Sequence, residues 1–288
     1  MALTFQEFLD TDASGKPHFL VIGHPISHSL SPVMHTVAIQ EYGLNSAYIA
    51  VNLLPGDVTS FIAWCNNDMF LGCNITIPYK ETLLDLVDEL DEPAIQIGAI
   101  NTLFKRDGKL IGTNTDQYGF SKPLKPNLDN HTTNRAIVFG TGGASKAVKS
   151  ALEEFHFEEI IFVSRNANKQ IFSEISEIRV VNYFNWQAFA AETDLFVNTT
   201  PLGMNPDFNS SPVEYHESNL LTDSICYDLI YNPLKTRFLE NAETQGAIII
   251  NGLDMLIHQG SKSFEIWTGK PFPFNLVKKQ LLDQFRVS

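Results

Sequence analysis

Cysteine is scarce in this sequence. Cys65, Cys73 and Cys226 are an odd number with no close metal-ligand spacing, so neither a disulfide framework nor a zinc site is expected, and a reduced intracellular protein fits. Basic residues are also in the minority. Twenty Lys and Arg stand against 33 Asp and Glu, for a formal charge of −13. Such a surface repels phosphate backbones and anionic lipid, which argues against nucleic acid and membranes as partners. No uninterrupted apolar stretch approaches the roughly 18 residues needed to span a bilayer. Met1–Lys16 is acidic and polar where a signal peptide would need an apolar run, so a cytoplasmic protein is expected. Internal repeats and low-complexity tracts are absent as well.

What is present is a globular balance, 44% apolar and 18% charged over 288 residues, enough for two ordinary domains with substantial cores. Short β-rich runs alternate with helical stretches, the pattern of parallel sheets covered by helices. Strands are expected at His18–Gly23, Ala47–Val51 and Leu71–Ile77, with a hairpin over Asn101–Gly112 turning at Asp107-Gly108. Ser31-Pro32 reads as a helix start with Ser31 as N-cap, and a further helix is expected from Tyr79. Ser121–Asn134, polar and proline-bearing, reads as a linker. A second series of strands follows at Arg135–Gly140, Ile160–Ser164, Ile178–Val181, Leu195–Thr199, Ile225–Leu229 and Ala247–Ile250, and the pattern turns helical near Leu253.

The strongest local signal is the apolar strand Ala136–Phe139 running into Gly140-Thr141-Gly142-Gly143-Ala144-Ser145 and then a helix. In that setting backbone N–H groups and a helix N-terminus can cradle a pyrophosphate. Gly140 permits the tight turn and Gly142 lets phosphates approach the backbone; Ser145 stands where the usual spacing has a third glycine. A sheet that binds NAD places an acid at the end of the next strand for the ribose hydroxyls. Here that position reads Ser164-Arg165-Asn166, without a carboxylate. Arg165 can grip a 2′-phosphate through its guanidinium fork, and Lys169 can add a second positive charge, so NADP is expected over NAD.

The first half carries polar residues at strand ends and helix starts: Gly23-His24-Pro25-Ile26-Ser27-His28-Ser29-Leu30-Ser31-Pro32, Gly72-Cys73-Asn74-Ile75-Thr76-Ile77-Pro78-Tyr79-Lys80, Gly98-Ala99-Ile100-Asn101-Thr102 and Gly112-Thr113-Asn114-Thr115-Asp116. Each alone reads as turn chemistry. With Asn198–Met204, Tyr227–Pro233 and Met255–Gly260 they form an ordered set over nearly the whole chain, and that set resembles the shikimate dehydrogenase family.

The resemblance implies an α/β protein. An N-terminal mixed-sheet substrate domain, residues 1–119 with the returning C-terminal helices of 252–288, would flank a Rossmann-type NADP-binding domain over 120–251. It implies reversible reduction of 3-dehydroshikimate to shikimate with NADPH. Ser29 and Ser31, helped by Thr76 and Tyr231, match the groups that hold the substrate carboxylate; Asn101, Asp116 and Gln259 match those that bind ring hydroxyls, with Asn74 in the same lining. Lys80 and Asp116 match the catalytic pair. Gly140, Gly142, Gly143, Ala144, Ser164, Arg165, Asn166, Lys169, Thr199, Gly252 and Met255 fall to the cofactor, Met255 near the nicotinamide. Two departures stand out: Thr36 follows His35 where the family often has Asn, and the NADP loop reads Ser164-Arg165-Asn166 rather than Asn-Arg-Thr.

Other constellations carry less. His24 and His28 flank Pro25 without a third ligand, so no metal is expected. Ser29 and Ser31 lack a nucleophile-elbow setting. A quinate/shikimate dehydrogenase of broader scope is the alternative within enzymes, and a nucleotide-binding regulator without catalysis is the alternative outside them. The expected state is a monomer or homodimer acting on a small molecule.

Overall fold

A computed structural model describes residues 2–11, 16–128, 131–166 and 178–287. The chain forms two compact units, Met1–Thr115 with Ile257–Ser288 and Asp116–Leu256. The divisions fall at 115/116 and 256/257, where the family resemblance implied 119/120 and 251/252.

The first unit holds a seven-stranded mixed sheet in the order β1-β3-β2-β4-β6-β7-β5. Its strands are β1 (Leu3–Thr4), β2 (His18–Gly23), β3 (Ala47–Asn52), β4 (Phe70–Ile75), β5 (Glu89–Leu90), β6 (Thr102–Arg106) and β7 (Lys109–Thr113). Side chains alternate across a pleated strand, and β2 divides accordingly. Leu20 and Ile22 enter one core with Val51, Phe61 and Ile75, whereas Phe19 and Val21 enter another with Ile39, Tyr48 and Phe264. Both faces are therefore covered, which is why the strand reads as an unbroken apolar run. The hairpin of β6 and β7 turns through Asp107 and Gly108, both at positive φ, as the dipeptide requires.

Three local expectations are corrected. Helix α2 spans Ser31–Glu41, after α1 at Phe5–Asp10, so Ser31 is its first residue and not its N-cap. The cap position is Leu30, and the Ser29 hydroxyl accepts from the Ser31 N–H at 3.3 Å. After α3 (Val58–Trp64), the helix expected at Tyr79 is a single turn, α4 (Tyr79–Thr82), followed by a 3-10 turn. Helix α5 (Glu92–Ile97) comes next. The supposed linker is a helix, α6, over Asp116–Leu128 with Pro123 and Pro126 inside it. An interior proline removes one helical hydrogen bond and costs about 3 kcal/mol. Phe120 and Leu124 are fully buried on the face that packs in the second unit's core, each worth roughly 1.5–3 kcal/mol. The two prolines together cost about 6 kcal/mol and burial of the two side chains returns roughly 3–6 kcal/mol, so packing carries much of a defect that composition alone makes prominent.

The second unit contains a six-stranded, wholly parallel sheet in the order β10-β9-β8-β11-β12-β13. These are β8 (Arg135–Phe139), β9 (Glu159–Val163), β10 (Ile178–Val181), β11 (Leu195–Asn198), β12 (Ile225–Asp228) and β13 (Ile248–Ile250). Numbered from β8, the order is 3-2-1-4-5-6, that of doubly wound dinucleotide-binding sheets. Strand β8 again splits its side chains, Ala136 and Val138 to one face and Ile137 and Phe139 to the other. Helices α7 (Gly143–Glu154) and α8 (Arg237–Thr244) belong to this unit, α9 (Gly252–Thr268) passes from it into the first, and α10 (Phe274–Val287) closes the chain. Among the described residues no helix is long and apolar enough to cross a membrane.

Candidate active site

In the first unit the polar residues singled out in the sequence sit where strands end. Asn74 is the penultimate residue of β4, Thr76 follows the strand, and Lys80 lies in α4, its carbonyl accepting from the Ile100 N–H at 2.8 Å. Asn101 stands just before β6, bridging two strands through its backbone: its N–H donates to Thr113 O at 3.0 Å and its carbonyl accepts from Ile75 N–H at 2.7 Å. Gln259 comes from α9. The structure brings three of these side chains together. Asn101 Nδ2 donates to Gln259 Oε1 at 3.4 Å, and Asn74 Nδ2 reaches Asn101 O at 3.4 Å. Ser29 and Ser31 are joined by their own hydrogen bond at the start of α2.

Around this cluster lie further buried polar residues: Tyr48 and Ser263, which sequence reasoning passed over, and Thr102 and Thr115, which it read only as members of the strand-end motifs. Tyr48 OH donates to Asn74 Oδ1 at 2.7 Å, and Ser263 Oγ accepts from Asn74 Nδ2 at 2.9 Å. Ser263 lies four residues after Gln259, hence on the same face of α9. That spacing was the one signal available for it. His35 is fully buried, stacked on the Tyr48 ring with centroids 4.4 Å apart and planes 6° apart. Burial pushes its imidazole down to about 3, with the Asn74 side chain opposing.

In the second unit the glycine turn joins β8 to α7. Gly140 has φ +105°, and a Cβ there would lie 2.6 Å from Thr199 Oγ1. Thr199 closes against the same turn by donating its N–H and hydroxyl to Phe139 O, at 2.9 and 2.8 Å. Gly142 caps α7, Gly143 begins it and Ala144 follows in its first turn. Among the described residues, and apart from the adjoining backbone, no atom lies within 4 Å of where a Cβ would stand on Gly142 or Gly143, so their backbone is open there to a ligand's phosphates. Ser145 turns inward, donating to Gly142 O at 2.6 Å.

Ser164, at the end of β9, ties this turn to the neighbouring loop. Its hydroxyl lies 3.2 Å from Thr141 Oγ1 and accepts from the Asn166 N–H at 3.2 Å. Arg165 and Asn166 are exposed there. Arg165 acts on the Tyr183 phenol, lowering its pKa against the larger upward effect of burial. Lys169 lies outside the described residues. Tyr231 is half-buried, its phenol pushed up by burial. Met255 is buried in the core with Phe120 and Tyr227. A Cβ on Gly252 would lie 2.0 Å from Leu229 O, so only glycine lets α9 start against the β12 loop. Asp116, also buried, opens α6.

Sequence reasoning gave no role to Asp228, although it stands in the Tyr227–Pro233 motif. It ends β12 fully buried and accepts from Thr236 Oγ1 at 2.6 Å, Ile230 N–H at 3.0 Å and Asn198 Nδ2 at 3.1 Å. Burial nevertheless pushes its carboxyl up to about 6, the hydrogen bonds opposing. An acid closing the apolar run Ile225–Tyr227 was its visible trace.

The glycine turn, Ser164, Thr199 and the β12 loop all follow the carboxyl ends of adjacent parallel strands, and β8 and β11 flank the reversal of strand order. In open α/β sheets ligands bind at that point. With an open Gly142–Gly143 backbone and no acid after β9, the residues present fit a dinucleotide carrying a 2′-phosphate.

Residues 21–103 match the family "Shikimate dehydrogenase substrate binding domain", and residues 252–282 match "Shikimate 5'-dehydrogenase C-terminal domain". The chain is 38% identical over 285 residues to the shikimate dehydrogenase (NADP(+)) of Microcystis aeruginosa, covering 96% of this chain and 100% of that protein. The chain belongs to the shikimate dehydrogenase family. Among solved structures, the Thermus thermophilus shikimate 5-dehydrogenase in complex with NADP(H) and shikimate superposes with TM-score 0.79 at 33% identity, over 91% of this chain and 97% of that one. A Corynebacterium glutamicum quinate dehydrogenase in complex with NAD superposes with TM-score 0.84 at 26% identity, over 93% and 99%. This shikimate dehydrogenase family member therefore shares its architecture with enzymes named for either hydroxylated acid.

Proposed function

We propose that the chain is an NADP-dependent shikimate dehydrogenase, interconverting 3-dehydroshikimate and shikimate. The observation that carries the reading is full-length kinship with a shikimate dehydrogenase (NADP(+)), and the grouping of Asn74, bonded to the Asn101 backbone carbonyl, with Gln259, bonded to the Asn101 side-chain amide, supports it. The reaction makes the protein an oxidoreductase of aromatic amino-acid precursor synthesis acting on a CH–OH group. When bound, NADP(H) supplies or accepts the hydride at the ring carbon.

The chain's own groups handle binding and the proton. Ser29 and Ser31, with Thr76 and Tyr231, hold the substrate carboxylate. Hydroxyl donors suit this acidic protein, because hydrogen bonds can replace a full counter-charge. Asn74, Asn101 and Gln259 hold ring hydroxyls. Lys80 donates a proton to the carbonyl oxygen as it becomes an alcohol and takes it back in the reverse direction, a contribution of about 10²–10⁴-fold. Its ammonium also stabilises negative charge developing on that oxygen. Asp116 orients Lys80 and binds a neighbouring hydroxyl. The glycine turn with Ala144 holds the pyrophosphate, Arg165 with Ser164, Asn166 and Lys169 holds the 2′-phosphate, and Thr199, Gly252 and Met255 line the nicotinamide side.

We place the enzyme in the cytoplasm, as a monomer or homodimer; three free, buried cysteines support a reducing compartment. Initial rates with shikimate and with quinate, each with NADP+ and NAD+, test the assignment. The highest kcat/KM is expected for shikimate with NADP+. Absence of NADP+ reduction by shikimate overturns it, and preference for quinate with NAD+ replaces it with the broader enzyme.

A further inference from the structure

Between the amides that face substrate and the core beneath them runs a buried hydrogen-bonded chain whose direction is set by one backbone group. The Thr115 N–H can only donate, and it meets Asn101 Oδ1 at 2.8 Å. That contact orients the Asn101 amide, so its Nδ2 faces Thr115 Oγ1 at 2.9 Å and Gln259 Oε1 at 3.4 Å. Thr102 gives its single hydroxyl proton to the same Oδ1, at 2.9 Å. Thr102 Oγ1 must therefore accept from its other neighbours, Ser263 Oγ at 2.7 Å and Asn74 Nδ2 at 3.2 Å. Ser263 has one proton and three acceptors in reach, Thr102 Oγ1 at 2.7 Å, Gln259 O at 3.2 Å and Thr115 Oγ1 at 3.3 Å; the shortest contact takes it. Asn74, donating through Nδ2 to Ser263 Oγ at 2.9 Å, must then turn Oδ1 to Tyr48, whose hydroxyl donates at 2.7 Å. The Ser31 hydroxyl in turn bears on the Tyr48 oxygen.

We infer that Ser263 and Tyr48, two residues outside the substrate contacts, are positioning residues that hold the Asn74 and Asn101 amides in the one orientation the site uses. The inference rests on the reading that these amides bind the substrate's hydroxyls. Ser263 and Thr102 have no exposed surface and Tyr48 very little, so water does not readily replace a lost partner. A buried polar group left unpaired loses its whole desolvation energy, and an amide relieves that by rotating or flipping. Removing the Ser263 hydroxyl takes from Asn74 Nδ2 its shortest acceptor, leaving Thr102 Oγ1 at 3.2 Å and Asn101 O at 3.4 Å, and takes from Thr102 its closest donor. Removing the Tyr48 hydroxyl takes from Asn74 Oδ1 its donor at 2.7 Å, so the flipped amide becomes competitive.

The test compares Ser263→Ala, Tyr48→Phe, Asn101→Ala, Asn74→Ala and the double variant Ser263→Ala/Asn74→Ala in full steady-state kinetics. For each single positioning variant, KM for shikimate is expected to rise about tenfold. The expected kcat stays within about threefold, and KM for NADP+ is unchanged. General loosening of the fold would instead lower the melting temperature and degrade all three parameters together. In the Asn74→Ala background the Ser263→Ala effect should shrink to under about threefold, because the amide that Ser263 holds is gone. If Asn101→Ala raises KM for shikimate but Ser263→Ala and Tyr48→Phe leave it unchanged, the positioning inference is wrong while the substrate site stands. If Asn101→Ala itself leaves KM unchanged, the substrate reading beneath it is wrong. Full additivity in the double variant also overturns the inference.

Discussion

His35 makes the first unit sensitive to acid, and the size of the effect follows from its burial. The ring has no exposed surface, and burial holds its pKa near 3 instead of 6.5, the Asn74 side chain opposing only in part. In the unfolded chain the imidazole takes a proton below about pH 6.5, whereas in the folded protein it does not until far lower. Stability from this group is therefore fully present above pH 6.5 and is lost as pH falls toward 3. Between pH 7 and 5 the unfolded state gains about 2 kcal/mol by protonation, a figure insensitive to how far below 4 the native value lies. Replacing His35 with Phe keeps an aromatic ring against Tyr48 and removes the proton site. Denaturant unfolding at pH 7 and pH 5 measures the difference. Trp267 fluorescence can serve as the reporter, since its ring lies 5.3 Å from that of His35. The parent should lose about 2 kcal/mol more than H35F over that interval. Equal losses in the two proteins would mean that His35 is protonated in the fold, and the argument from burial would fail.

Three further outcomes are expected. Lys80→Ala should lower kcat by 10²-fold or more, on the scale of a lost general acid, while KM for shikimate changes far less; near-normal turnover by the purified variant removes Lys80 from the chemistry. Arg165→Ala should raise KM for NADP+ about tenfold or more and leave KM for NAD+ nearly unchanged, because only NADP+ carries the 2′-phosphate; equal effects on both cofactors would refute the assignment. Asp228 has its folded pKa raised from 3.8 to about 6, so its contribution is present below pH 4 and is lost as pH rises through 6. Asp228→Asn should flatten that window in urea titrations, whereas Asp228→Ala, stranding three donors, should cost about 3 kcal/mol. A parent whose stability rises through pH 4–6 more steeply than the Asn variant contradicts this.

Much of the chain was legible because its signals are local. The alternation in β2 and β8, the Asp107-Gly108 turn and the glycine turn before α7 each depend on backbone sterics within a few residues. The absence of an acid after β9 was equally local, one position at one strand end. The short α4 was not legible, since nothing near Tyr79 announces that the helix stops after a turn. Nor was α6, where Pro123 and Pro126 obscure a helix sustained by the burial of Phe120 and Leu124.

By itself the sequence determined the two α/β series, the strand-ending polar motifs and the nucleotide turn, because periodicity and turn chemistry are written in neighbouring residues. Only the tertiary structure decided which buried groups those motifs lean on. Ser263 meets Asn74 from 189 positions away, and Asp228 gathers donors from Asn198 and Thr236. Contacts between residues so far apart in the chain arise from packing, and burial then makes each unpaired polar atom too costly to leave alone.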